Sequence, residues 1–165
     1  MKSQKYIPII LLASIVMLGT ACKTFVVENV NYAQQIESVL VPDENGNVHD
    51  VRHGITFNVT PFQEQEFGVE DSAKTEIKEV RLIRNAEGYY FITANNFKNV
   101  YVMEPGKGNL RLRNKIQVSE ERLSAPAFNL RDASVQLVKT DTNEVLTMNE
   151  NGLQENSNDE EEEES

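Results

Sequence analysis

Tryptophan is absent from this chain of 165 residues, and cysteine occurs once, at Cys22. A lone cysteine rules out an intrachain disulfide, and without a cysteine pair or a tryptophan the signature of an antibody-type domain is missing. Histidine is nearly as scarce, with only His49 and His53. No C-x-x-C, H-E-x-x-H, G-x-S-x-G or phosphate-cradling glycine loop occurs, so the short motifs of redox, zinc-hydrolase, serine-hydrolase and nucleotide chemistry are lacking. The expectation is a protein that is not an enzyme and uses no cofactor or metal. An excess of basic charge is also lacking. The 16 lysines and arginines face 26 aspartates and glutamates, a net charge of −10, which argues against a nucleic-acid partner.

What the chain does have begins at its amino terminus. Lys2 and Lys5 precede an uncharged, largely apolar run from Tyr6 to Leu18, followed by Gly19, Thr20 and Ala21 and then Cys22. This order of positive, apolar and small residues is that of a secretory signal peptide. The run is shorter than the roughly 20 apolar residues that a spanning helix needs, and Pro8 interrupts it.

Leu18-Gly19-Thr20-Ala21-Cys22 resembles the lipobox of bacterial lipoproteins. The resemblance implies cleavage after Ala21 and acylation of Cys22, whose thiol is the nucleophile that takes the lipid. The sequence departs from the usual box in that Leu18, not Gly19, is the aliphatic residue. The same residues also suit an ordinary small-x-Ala cleavage that leaves Cys22 a free thiol. Lys23, where an aspartate would retain the protein at the inner membrane, implies the outer membrane. The lack of acidic residues in positions 23–27 favours its periplasmic face over the cell surface.

The expected organisation is a signal peptide over residues 1–21, a lipidated cysteine and anchor segment over 22–30, a folded domain over 31–150 and a disordered acidic tail over 151–165. The tail holds seven of the acidic residues, five of them the adjacent Glu160 to Glu164, whose mutual repulsion opposes packing.

The folded part reads as all-β, a single antiparallel β-sandwich of about seven to nine strands. Ile55, Phe57 and Val59 alternate with polar residues, as do Leu110, Leu112 and Ile116. Tyr89 to Ala94 is apolar on both faces and reads as a central strand, and Val100 to Met103 is similar. Val135 to Lys139 and Val145 to Met148 complete the pattern. Turn chemistry is expected at 43–47, 85–88, 105–109 and 140–143. Tyr32 to Val39 and Ser119 to Leu123 are the two short helix candidates.

Few side chains stand out as sites. His49 and His53 lie about 13 Å apart if extended, too far to share a metal, and read as ordinary surface or loop imidazoles. Asp43-x-Asn45-x-Asn47 begins like a calcium loop, but its glycine comes at the fourth place, so it reads as a turn. Lys74 to Lys115 holds nine basic and four acidic residues. Within it Lys78, Arg81, Arg111, Arg113 and Lys115 are the candidate contacts for a partner or an anionic ligand. By alternation, Arg111, Arg113 and Lys115 share one strand face. Asp71-Ser72-Ala73 resembles the acceptor motif of a bacterial general O-glycosylation system, which makes Ser72 a candidate modification site.

Together these features predict a lipoprotein held to a membrane by its lipid and docking on a protein partner in the cell envelope, within an outer-membrane transport, assembly or secretion complex. The alternatives are direct binding of an anionic envelope ligand or glycan through the basic region and, third, an enzyme with dispersed carboxylates.

Overall fold

A computed structural model describes residues 36–72, 75–107, 109–131 and 134–154. Cys22, Ala21, Lys74 and the acidic tail beyond Gln154 lie outside the described residues. The chain divides into two units, 1–30 and 31–165, and every described residue belongs to the second.

The described chain is mostly β, with antiparallel sheets. Its strands are β1 (Ser38–Leu40), β2 (Asn47–Asp50), β3 (Ile55–Asn58), β4 (Val80–Arg84), β5 (Tyr90–Ala94), β6 (Asn99–Pro105), β7 (Leu110–Gln117), β8 (Pro126–Arg131), β9 (Ser134–Lys139), β10 (Glu144–Asn149) and β11 (Gly152–Leu153). Two helical segments, α1 (Thr60–Phe67) and α2 (Val69–Ser72), separate β3 from β4. The sheets have five strands in the order β1-β4-β5-β6-β7, four in the order β11-β10-β9-β8, and two, β2-β3.

The five-stranded sheet is covered on both faces. Successive side chains of a strand point to opposite sides, so a strand apolar at every position needs a cover on each side. All five residues of β5 are buried. On one face Ile83, Phe91, Val100, Val102 and Ile116 pack with Phe128, Leu130, Val135, Leu137 and Met148 of the four-stranded sheet. On the other, Val80, Leu82, Tyr90, Ile92, Tyr101 and Met103 pack with Val48, Val59 and Phe62 from the β2–β3 hairpin and α1. The sequence pattern anticipates the inner strands but neither the hairpin layer nor the eleven strands found in three sheets among the described residues.

Turns follow the local chemistry. Between β4 and β5, Gly88 sits at φ 93° with its N–H donating to the Asn85 carbonyl, and Asn85 Oδ1 accepts from the Tyr89 N–H. A side chain at Gly88 would meet both this positive φ and the Arg84 guanidinium 3.1 Å from its Cβ.

The expected helices differ. The described part of the first, from Ile36 on, is a β-bridge to Asn129 followed by β1. Ser119–Leu123 is not helical; it is a connection whose Leu123 fills the core. The helix that forms, α1, has Pro61 in its first turn, where the missing N–H is harmless, and Asn58 Oδ1 accepts the Thr60 N–H just before it. Its apolar residues do not trace one clean stripe, which is why periodicity does not reveal it. Tertiary contacts hold it. Glu66 accepts hydrogen bonds from the Lys98 N–H (2.9 Å), Asn99 Nδ2 (2.7 Å) and the Tyr101 hydroxyl (2.9 Å), fastening α1 to the start of β6. Burial, the hydrogen bond to Glu66 and its charge push the Tyr101 phenol well above its ordinary pKa.

The double cover predicts where stability resides. Phe91→Ala should destabilise by about 3–5 kcal/mol, whereas Leu112→Ala, at a half-exposed edge position, should stay within about 0.5 kcal/mol. Urea unfolding of the two variants checks this.

Candidate interaction surface

The basic residues of the 74–115 region do not form one surface. In β7 the pairing with β6 shifts: Val102 faces Asn114 and Met103 faces Leu112, so Arg113 is an extra, bulged residue. Paired residues share a face. Arg111 opposite Glu104 therefore lies on the side of Val102, and Lys115 opposite Tyr101 lies on the side of Met103. Arg111 and Lys115 project from opposite faces, which corrects the expectation of a shared stripe: a bulge re-phases the alternation, and a one-dimensional pattern contains no sign of it.

Each cation has its own surroundings. Arg111 pairs with Glu104 at 2.9 Å, and Lys115 lies 5.5 Å above the Tyr101 ring with Nζ 3.4 Å from the Gln65 carbonyl. Arg113 and Lys78 are exposed. Arg81 is mostly buried and donates to Glu37 and Glu79, each at 2.6 Å. Burial opposes its charge, but its hydrogen bonds to both glutamates and their charges raise its pKa above the ordinary arginine value. Glu37 also accepts the Phe128 N–H of β8 at 2.7 Å, so Glu37 and Arg81 link β4 of one sheet to β8 of the other. Arg81 and Arg111 stand three strands apart, about 14 Å across the sheet, and four residues apart along it, about 13 Å, so roughly 20 Å separates them. Ser72, the last residue of α2, is buried with its hydroxyl donating to the Val69 carbonyl.

The histidines separate. His49 is exposed in β2, with Nδ1 2.8 Å from Thr56 Oγ1 across the hairpin. His53 is not a surface imidazole. Its side chain is 7% exposed, its Nδ1 lies 2.5 Å from Oδ2 of Asp50, itself 2% exposed, and the ring stands edge-on to Tyr90. The Ser38 hydroxyl (3.0 Å) and the Arg52 N–H (2.9 Å) also donate to Asp50. Because Asp50 accepts, Nδ1 carries the proton, and Nε2 is buried with no partner among the described residues. This is no hydrolase triad: Ser38 donates straight to the carboxylate, bypassing the imidazole. Burial penalises the Asp50 charge, yet the bonds from His53, Ser38 and Arg52 hold its carboxyl below the usual value. An aspartate following Val48 by two in a strand, hence facing inward, and three residues before a histidine, was the available clue. Periodicity read for apolar residues passes over it.

Two of the concavities among the described residues differ in character. A cleft of about 560 Å³ is bordered by Asp43, Glu44, Glu64 and Glu76. Asp43 is occupied in forming its own turn, accepting the Asn45 and Asn47 N–H groups. A groove of about 380 Å³ lies between β3, α1 and β7, lined by Phe57, Phe62, Met103, Leu110 and Leu112. Among the described residues no three His, Cys, Asp or Glu side chains are grouped to hold a metal ion, and no helix is long and apolar enough to cross a membrane.

This defines a class: an antiparallel β protein whose polar networks fasten its layers to one another. No protein-family model matches the chain, and no curated protein and no solved structure does so either. The functional reading rests on the chain's own residues.

The Asp50 network yields a prediction with a definite sign. A carboxyl held below its ordinary value of 3.8 contributes stability that is present above that pH and lost as pH falls through the folded-state value. Asp50→Ala leaves three donors without their acceptor and should cost about 3 kcal/mol at pH 7. The gap from the parent protein should narrow below about pH 4, as thermal unfolding at stepped pH would show.

Proposed function

We propose that this chain is a lipid-anchored, non-catalytic interaction module of the bacterial cell envelope, an accessory subunit of an outer-membrane transport, assembly or secretion complex. The observation that carries the reading is the placement of the sole cysteine directly after a positive, apolar and small-residue leader. Residues 1–21 are then removed, Cys22 bears the lipid, and residues 22–30 lead to the folded domain. In it the four- and five-stranded sheets act as a β-sandwich with the hairpin and α1 as an added layer. Each buried methylene of an acyl chain contributes about 0.8 kcal/mol, so two or three chains on one residue hold a water-soluble domain at the bilayer. Lys23 favours the outer membrane, and the lack of acidic residues in positions 23–27 favours its periplasmic side.

A non-catalytic role is supported by how the polar side chains are used. Glu37, Asp50, Glu66 and Arg81 are committed to joining elements of the fold. Binding of an anionic ligand through the basic region has less support, because Arg81 is engaged and Arg111 and Lys115 face apart.

Replacing Cys22 by Ser should move the protein from the detergent phase to the aqueous phase in a cloud-point partition, or leave it as uncleaved precursor. Unchanged partitioning would refute the anchor. In mild detergent the lipidated protein should co-purify with a stoichiometric envelope protein, and its recovery alone would refute the subunit role.

A further inference from the structure

The exposed apolar side chains are unevenly placed. Among the described residues the large ones are Ile36, Val39, Val41, Val51, Val69, Leu112, Val145 and Leu153. Half of them fall within the first sixteen described positions, and three of that half are the more than two-thirds exposed Ile36, Val41 and Val51 (68%, 74% and 81%). They surround β1, the terminal strand of the five-stranded sheet. Arg52 draws two of them, Ile36 and Val51, together. Its guanidinium donates to the carbonyls of Ile36 (3.2 Å) and Glu37 (3.1 Å), setting the β2–β3 turn, which begins at Val51, beside the start of β1. Val39, paired with Arg81, projects to the other side of β1 from this turn, and Val41 follows the strand, so these side chains flank the open edge of β1 on both sides.

Scattered surface valines need no explanation, but a concentration of aliphatics around an exposed guanidinium marks a contact face. Its charges fit one kind of partner. Of the carboxylates at this edge, Glu37 is turned to Arg81 and the Phe128 N–H, Glu79 beside Val41 is paired with Arg81, and Asp50 is buried with Ser38 and His53. Arg52 is the cation left among the aliphatics, an arrangement that suits phosphate headgroups above an acyl boundary. Asp43 and Glu44 lie past Val41, at the acidic cleft.

The course of the chain points to the same partner. The described chain starts at Ile36, inside this patch, fourteen residues after Cys22. Fourteen residues span at most about 50 Å, so a lipid on Cys22 holds the whole domain near the bilayer at a high effective concentration, and the chain enters the domain at this edge. A weak apolar face is enough under those conditions.

We propose that the β1 edge, formed by Ile36, Val39, Val41 and Val51 around Arg52, is a membrane-contact face that seats the domain on the phospholipid surface holding its anchor. The inference rests on the lipid anchor and assigns the domain an orientation that the anchor alone does not.

The absence of tryptophan makes the test clean. Val51→Trp places the sole indole in the patch, and Val69→Trp places one at a comparably exposed apolar position in α2. Val41→Trp repeats the patch measurement should Val51→Trp fold poorly. The full processed protein, lipid on Cys22, is reconstituted into phosphatidylethanolamine–phosphatidylglycerol vesicles with and without brominated acyl chains. In the Val51→Trp and Val41→Trp proteins, brominated lipid should quench the indole by at least about twofold, and vesicles should blue-shift its emission. The indole of the Val69→Trp protein should be unchanged. If the protein floats with the vesicles while the patch indoles are as unquenched and as open to aqueous iodide as the α2 indole, the face is not on the membrane. The proposal then falls, with the anchor intact. Shielding that appears without lipid and grows with protein concentration assigns the face to a second copy and overturns it too. If the protein does not float at all, the anchor fails and the inference with it.

Discussion

Everything in this fold follows from a sheet whose inner strands are apolar on both sides. A β5 of Tyr90, Phe91, Ile92, Thr93 and Ala94, all buried, cannot face water on either surface. One cover is the four-stranded sheet, reached through Phe128, Leu130, Val135 and Leu137. The other is made of smaller pieces, the β2–β3 hairpin and α1, which bring Val48, Val59 and Phe62. The buried hydroxyl of Thr93 in this strand is satisfied by the Asn99 carbonyl at 2.9 Å, so it is not stranded in the layer.

A small cover made of a hairpin and two turns of helix buries too little to hold itself in register, and here carboxylates supply the fastening. Glu66 ties α1 to β6, Asp50 ties the hairpin turn to β1 through Ser38, and Glu37 ties β4 to β8 with Arg81. Each accepts more than one hydrogen bond, which offsets the cost of drawing a charge away from water. For an acidic chain this divides the carboxylates into two sets, a few directed inward that join layers and many left in solvent.

The same division explains the surface. Once Glu37 and Asp50 are turned inward, the β1 edge is left with aliphatic side chains and the Arg52 guanidinium, while the cleft beyond Val41 keeps its acids. The bulge at Arg113 acts similarly at the far edge of the sheet. It sends Arg111 and Lys115 to different faces and places charge along β7, as edge strands that avoid pairing with other chains commonly do.

Much of the β content was legible in the residues themselves. Apolar content on both faces marked β5 and β6 as inner strands, Asn85 to Gly88 marked a hairpin, and the gap at 140–143 marked another, because these signals are local and depend on side-chain type and backbone preference. Helix α1 was not legible, since Glu66 is held by Lys98, Asn99 and Tyr101 and Phe62 packs on Tyr101, all more than thirty residues away. The Asp50–His53 pair was hidden for a related reason: a charged residue looks exposed until the fold gives it donors. The sequence by itself determined the mostly β character and the single cysteine, Cys22, on which the proposed anchor rests. Only the tertiary structure decided which charges face inward, which strand carries the bulge and which edge is left apolar, because each of these depends on partners distant in the chain.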